Sequence, residues 1–130
     1  VDVLEVKQII VCGHHGCGGV RAALSHQALG LIDNWLRAIK ALYHQSLPLF
    51  EGLEGEDRVN LLCELNVMRQ VRNVCHTTIV QNAWARGQEL AVHGWIYGLQ
   101  DGLIKDLETS LHCPQQLDET FLYDAWMQEP

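Results

Sequence analysis

Apolar residues recur along this chain in two rhythms. Gln8-Ile9-Ile10-Val11-Cys12 is short, apolar and β-branched, which predicts a buried strand. The strand ends at Gly13, His14-His15-Gly16-Cys17-Gly18-Gly19 makes a glycine-rich turn, and Val20 to Leu24 reads as a helix. Leu31, Trp35, Ile39 and Leu42 stand at helical spacing with Asp33, Arg37 and Lys40 between them, which predicts a second helix over Leu31–Tyr43. Pro48, Gly52 and Gly55 make Ser46–Gly55 a loop. A long helical region follows from Glu56 to Ala85, its buried face marked by Val59, Leu62, Leu65, Val67 and Val71. The polar cluster Asn73–Thr77 is its expected break, and Gly87 its expected C-cap. Glu89–Tyr97 predicts a second strand, Gly98–Gly102 a turn and Leu103–Leu107 a third strand. Beyond Pro114, Leu117, Phe121, Leu122 and Trp126 predict a final amphipathic helix that docks on the body.

At the other end, Val1, Leu4 and Val6 read as the last turns of an amphipathic helix already under way. The expectation is that these residues are the C-terminal part of a longer chain. Strands alternating with helices predict an α/β fold, a mainly parallel sheet flanked by helices and incomplete at its N-terminal side.

Composition narrows the class. A length of 130 residues suits one domain or most of one, and a 48% apolar content is ordinary for a folded chain. A net charge of −7 argues against a nucleic-acid surface, which needs clustered Lys and Arg. No apolar run approaches the ~18 residues that a membrane span needs. Cys12, Cys17, Cys63, Cys75 and Cys113 are odd in number and follow no secretory pattern. Reduced thiols in a cytoplasmic protein are the expectation.

His14-x-x-Cys17 is the sharpest local feature. Imidazole and thiolate are both zinc ligands, two intervening residues let both reach one ion, and a glycine-rich turn lets the backbone curl around it. The motif alone is weak, and its place after a strand and before a helix strengthens it. The same loop could hold an anion on backbone N–H groups, or present Cys17 as a reactive thiol. It is not a phosphate-binding P-loop, because the Lys-Ser/Thr ending is absent, nor a dinucleotide fingerprint.

Ile9-Ile10-Val11-Cys12-Gly13-His14-His15-Gly16-Cys17-Gly18-Gly19 closely resembles the zinc loop of bacterial β-class carbonic anhydrases. The resemblance continues through Gly30–Leu36, Glu64–Val67, Gln70–Asn73, His93–Tyr97 and Asp101–Leu103. It covers Val1 to Leu107 in order, as a partial domain, and fades over a C-terminal tail, residues 108–130.

The resemblance implies a zinc enzyme that interconverts carbon dioxide and bicarbonate through a zinc-bound hydroxide, working as a homodimer or homotetramer. It implies that His14 and Cys17 are two of the zinc ligands. The others in the family, a Cys and an Asp, belong to a Cys-x-Asp-x-Arg motif that none of the five cysteines here begins. Two ligands do not fill a tetrahedral shell, so the 130 residues alone are expected to be inactive, with no catalytic residue assigned beyond the metal pair. A non-catalytic subunit that keeps the fold is the alternative. Tyr97 resembles a residue that holds an inhibitory bicarbonate in a regulated subgroup, where a Trp and an Arg, both absent here, complete the site.

The remaining candidates read as structure. His15 is expected to face solvent, Cys12 to fill the strand's core side, Cys63 and Cys75 to be inert thiols, and His93 to be packed. Trp35, Trp84 and Trp95 are expected in the core or at an interface, with an exposed interface face on the Trp35 helix. Gly18 and Gly19 serve either to turn N–H groups toward substrate or to allow close packing.

Overall fold

The strands and helices follow the two apolar rhythms closely. In the computed structural model, which describes residues 1–127, β1 spans Gln8–His14, β2 Ala91–Tyr97 and β3 Ile104–Asp106, in the sheet order β1-β2-β3. The helices are α1 (Gly18–Leu24), α2 (Asp33–Gln45), α3 (Gly55–Cys75), α4 (Thr78–Ala85) and a single turn, α5 (Asp124–Met127). Ala91 N–H donates to the Lys7 carbonyl and His15 N–H to the Tyr97 carbonyl, so partners rise together and β1 and β2 run parallel. Gly98 N–H donates to Leu103 and Leu107 N–H to Gly94, the crossed order of an antiparallel pair, so β2 and β3 form a hairpin. This is an α/β fold, with helices between the parallel strands.

Two compact units divide the described chain. One comprises residues 1–12, 68–95 and the described residues from 106 on; the other comprises 13–67 and 96–105. Positions 128–130, the end of the tail anticipated from sequence, lie outside the described residues.

In the first unit Val71, Cys75, Val80, Ala83, Trp84, Leu90, Val92, Leu111 and Leu117 form one buried cluster. The break between α3 and α4 falls at the predicted polar cluster. Thr77 caps α4 by accepting the Val80 N–H at 3.4 Å. At the other end of α4, Gly87 N–H donates to Trp84 and Gln88 N–H to Ala83, the paired bonds of a Schellman motif. Past Leu107 the chain makes a bridge at Leu111 to Val92, two short 3-10 turns and α5, rather than one continuous helix. Residues 2–4 form a turn, with the Glu5 N–H on the Val1 carbonyl at 3.1 Å and Val3 and Leu4 exposed.

In the second unit α1 packs on α2, and Lys40 Nζ donates to the Ser25 carbonyl beyond the end of α1 at 2.8 Å. The buried face of α2 is Leu36 and Leu42. Leu31 and Trp35, of the same helical spacing as the buried Leu42, are 87% and 82% exposed, in line with an exposed interface face on this helix. The spacing that marks one stripe of a helix leaves open which of two neighbouring stripes is inward.

Candidate metal centre

Residues 13–17 turn the chain from β1 into α1. The turn is shaped first by a close approach: a Cβ on Gly13 would stand 2.5 Å from Val67 Cγ2 on α3, so only glycine fits there. Gly16 has φ +69°, the left-handed region that glycine enters freely. Cys17 then stands at the N-cap of α1, its carbonyl accepting the Arg21 N–H at 2.9 Å.

His14 is the last residue of β1 and is exposed. Its Nδ1 lies 2.8 Å from the His15 carbonyl oxygen. A carbonyl can only accept, so Nδ1 carries a proton, and in the neutral ring the lone pair is left on Nε2. This is how a metal-binding histidine is held, with one ring nitrogen fixed by a neighbour and the other free for the ion. Cys17, half-buried, follows at the end of the same turn. Among the described residues no group of three or more His, Cys, Asp or Glu side chains is placed to hold a metal ion. The two donors suit zinc in kind and fall short of a four-coordinate shell in number.

Helix α3 supplies partners that the linear motif does not contain. Asn60 Oδ1 accepts the Gly16 N–H at 2.9 Å. Glu64 Oε1 lies 3.2 Å from His15 Nε2 and 3.4 Å from Lys105 Nζ. Cys63, buried, directs its sulfur toward the N–H groups of Gly16 and Cys17; burial pushes its thiol up from the ordinary range. His15 is therefore tied to Glu64, not turned to solvent as expected. These residues lie 44 to 49 positions from the loop. The signal that could have found them is Asn60, Cys63 and Glu64 at i, i+3 and i+4, a polar patch beside the apolar face of α3.

Tyr97 ends β2 with its ring partly exposed, and its carbonyl accepts the His15 N–H at 3.0 Å. A cavity of about 210 Å³ opens beside the loop between His15, Gly16, Asn60 and residues 98–101. A Cβ at Gly18 would meet nothing within 4 Å, so close packing does not require glycine there. Cys12 proves exposed rather than part of the core, because β1 alternates and places it on the outer face. Trp84 is buried, with its indole N–H on the Leu90 carbonyl at 2.8 Å, whereas Trp35 is exposed. His93 is packed as expected, bonded to Ser110 and Gln8.

An α/β unit whose strand ends in a histidine–cysteine turn defines the class of protein, and comparison with known proteins defines the family. The family model for carbonic anhydrase matches residues 1–104. A carbonic anhydrase of Emericella nidulans is 44% identical over 108 residues, covering 82% of this chain and 47% of that enzyme. A Coccomyxa beta-carbonic anhydrase solved with acetazolamide superposes with a TM-score of 0.83 at 38% identity, covering 89% of this chain and 53% of the other. Tetrameric beta-carbonic anhydrases of Sordaria macrospora include one with a TM-score of 0.78 at 31% identity, covering 85% of this chain and 57% of the other. The chain belongs to the carbonic anhydrase family, in its β class. It spans about half the length of the curated relatives it matches.

Proposed function

We propose that this chain contributes His14 and Cys17 as two zinc ligands to a β-carbonic anhydrase, which interconverts carbon dioxide and bicarbonate. The observation that carries the reading is the bond from His14 Nδ1 to the His15 carbonyl, which leaves Nε2 available three residues before a half-buried thiol. Bound zinc supplies Lewis acidity that makes water a nucleophile near neutral pH. The chain's own part is to hold the two donors on a turn fixed by Gly13, Gly16 and α3. The open space at Gly18 favours an approach for a small substrate over close packing at the start of α1.

Two donors leave the shell incomplete, so the 130 residues alone are inactive and bind zinc weakly. The remaining ligands come from a Cys-x-Asp-x-Arg motif, which the family resemblance requires and this sequence does not contain. Tyr97 is proposed as one residue of a regulatory bicarbonate site, its backbone already joined to the zinc loop. The tetrameric Sordaria enzymes and the exposed Leu31–Trp35 surface support a homodimer or homotetramer. The five cysteines, none in a disulfide, support a reducing cytoplasmic setting, and no described helix is long and apolar enough to cross a membrane. Residues 1–107 are a partial carbonic anhydrase domain, and residues 108–130 are a tail that follows it.

The test compares zinc content and carbon dioxide hydration for this chain alone and for this chain joined to the N-terminal half of a homologous enzyme that carries Cys-x-Asp-x-Arg. The expected result is one zinc per joined chain with activity that Cys17→Ser abolishes, and neither property in the chain alone. A joined protein that folds without zinc overturns the reading. That outcome would favour a non-catalytic subunit, which the lack of a three-donor group among the described residues already allows.

A further inference from the structure

One face of α3 follows the zinc loop residue by residue. Asn60, Cys63, Glu64 and Val67 stand at helical spacing on that face, and each meets a different part of residues 13–17. Val67 packs against Gly13 so closely that no side chain fits between them. Glu64 engages the His15 ring at 3.2 Å. Asn60 accepts the Gly16 N–H at 2.9 Å, and the Cys63 sulfur faces the N–H groups of Gly16 and Cys17. His14 and Cys17, the two proposed ligands, bracket the segment held in this way.

We propose that this face of α3 is the positioning device of the metal loop, and that Asn60 is its principal positioning residue. Gly16 gives the turn its left-handed residue and with it the freedom to leave that conformation. A neutral amide oxygen on a long helix restrains that freedom without competing for the ion and without depending on pH. The loop is therefore ordered before metal arrives, and binding does not have to supply the ordering. Partners one step removed from metal ligands typically change affinity ~10- to 100-fold when lost, and Asn60 stands in that relation to Cys17 through the backbone of Gly16.

The metal arm of the test rests on His14 and Cys17 being ligands; the loop arm does not. Asn60→Ala and Asn60→Asp are compared with the parent chain. Alanine is the best helix former, so loss of α3 is not expected from the first, and the second keeps an oxygen acceptor at the same position. In the metal-free chain, the Gly16 amide of Asn60→Ala exchanges its hydrogen ~10-fold faster, and Cys17 reacts faster with iodoacetamide. In the chain joined to the N-terminal half of a homologous enzyme, Zn²⁺ competition against a chromophoric chelator gives an affinity lowered ~10-fold by Asn60→Ala. Asn60→Asp stays near the parent chain in Gly16 exchange and Cys17 alkylation, a rescue that a purely structural role would not give. Parent-like Gly16 exchange in a folded Asn60→Ala, or an Asn60→Asp as impaired as the alanine variant, overturns the proposal. If the joined protein binds no Zn²⁺, the functional reading fails while exchange and alkylation in the parent chain still decide this one. If Asn60→Ala does not fold, Glu64→Ala takes its place: faster exchange across His15–Cys17 supports the device, and unchanged exchange overturns it.

Discussion

The side-chain amide of Gln81 donates to the carbonyl of Phe121 at 2.8 Å, 40 residues along the chain. Its oxygen accepts the Tyr123 N–H at 3.1 Å, and its amide also reaches the Cys75 carbonyl at 3.3 Å. Gln81 is 1% exposed, a buried polar side chain whose hydrogen bonds all serve backbone. Gln81→Leu keeps the volume and leaves those groups without partners, at about 1–3 kcal/mol each when they stay buried. The expected outcome is a lower denaturation midpoint together with faster proteolysis after Leu117. A variant that loses stability but keeps the tail protected would show that Gln81 does not hold it.

Gly13 and Val67 make a sharper test of packing. Gly13→Ala places a methyl 2.5 Å from Val67 Cγ2, and overpacking of this kind costs about 1–3 kcal/mol. Val67→Ala alone opens a cavity. Joined, the two changes should cost less than their sum, because each relieves the other, and denaturant unfolding of all four chains measures the coupling. Additive losses would mean that the strand and α3 do not meet there.

How far this chain could be read from its sequence divides along the same line. The strands, the helix break at Asn73–Thr77 and the cap at Gly87 were legible because each rests on residues adjacent in sequence. The strand–turn–helix unit that carries His14 and Cys17 was legible for the same reason. Asn60, Cys63 and Glu64 were not, since what they touch is fixed by how α3 lies beside the loop, and periodicity alone gives no azimuth. For Leu31 and Trp35 the spacing showed a helix and an exposed interface face was expected, but only their neighbours decide that Leu36 and Leu42 face inward. His15 was misplaced because its partner lies 49 residues away.

His76 stacks on Phe121, with ring centroids 3.9 Å apart and planes 6° from parallel. Burial holds its pKa below the ordinary value, helped by Arg72 and Arg69 and opposed by Asp118. The folded state thus prefers the neutral ring. Its contribution to stability is fully present above about pH 6.5, the unfolded value, and is lost as pH falls through the lower folded value. Stability measured between pH 8 and pH 5 should decline in that window. His76→Phe should remove that part of the decline while keeping the stack. An unchanged profile in the variant would assign the decline to other groups.

Leu31 and Trp35 leave a large apolar area at the start of α2, with Ile32 beside them 45% exposed. Exposed apolar patches of this kind mark contact surfaces. The expected consequence is self-association of the chain through this surface. Sedimentation velocity should show oligomers for the parent chain and a shift toward monomer for Leu31→Glu with Trp35→Glu, with unchanged circular dichroism. Identical sedimentation of the two would place the contact elsewhere.

The five thiols should separate by burial, and zinc should then single out one of them. Cys75 is fully buried, which pushes its thiol up to about 12, and burial also pushes Cys63 up. The thiolate is the reactive form, so both should resist alkylation in the native chain. Cys12 is exposed, and Cys17 and Cys113 are half-buried, so these three should be modified first. Peptide mass spectrometry after a timed exposure to iodoacetamide at pH 8 ranks all five. Repeating it with Zn²⁺ in excess should slow Cys17, which shares its turn with His14, and leave the exposed Cys12 unchanged. His14→Ala should erase that protection without changing the metal-free rates of the other four. Protection of Cys17 that survives His14→Ala would show that the two residues do not bind one ion, and with it the proposed half-site would fall.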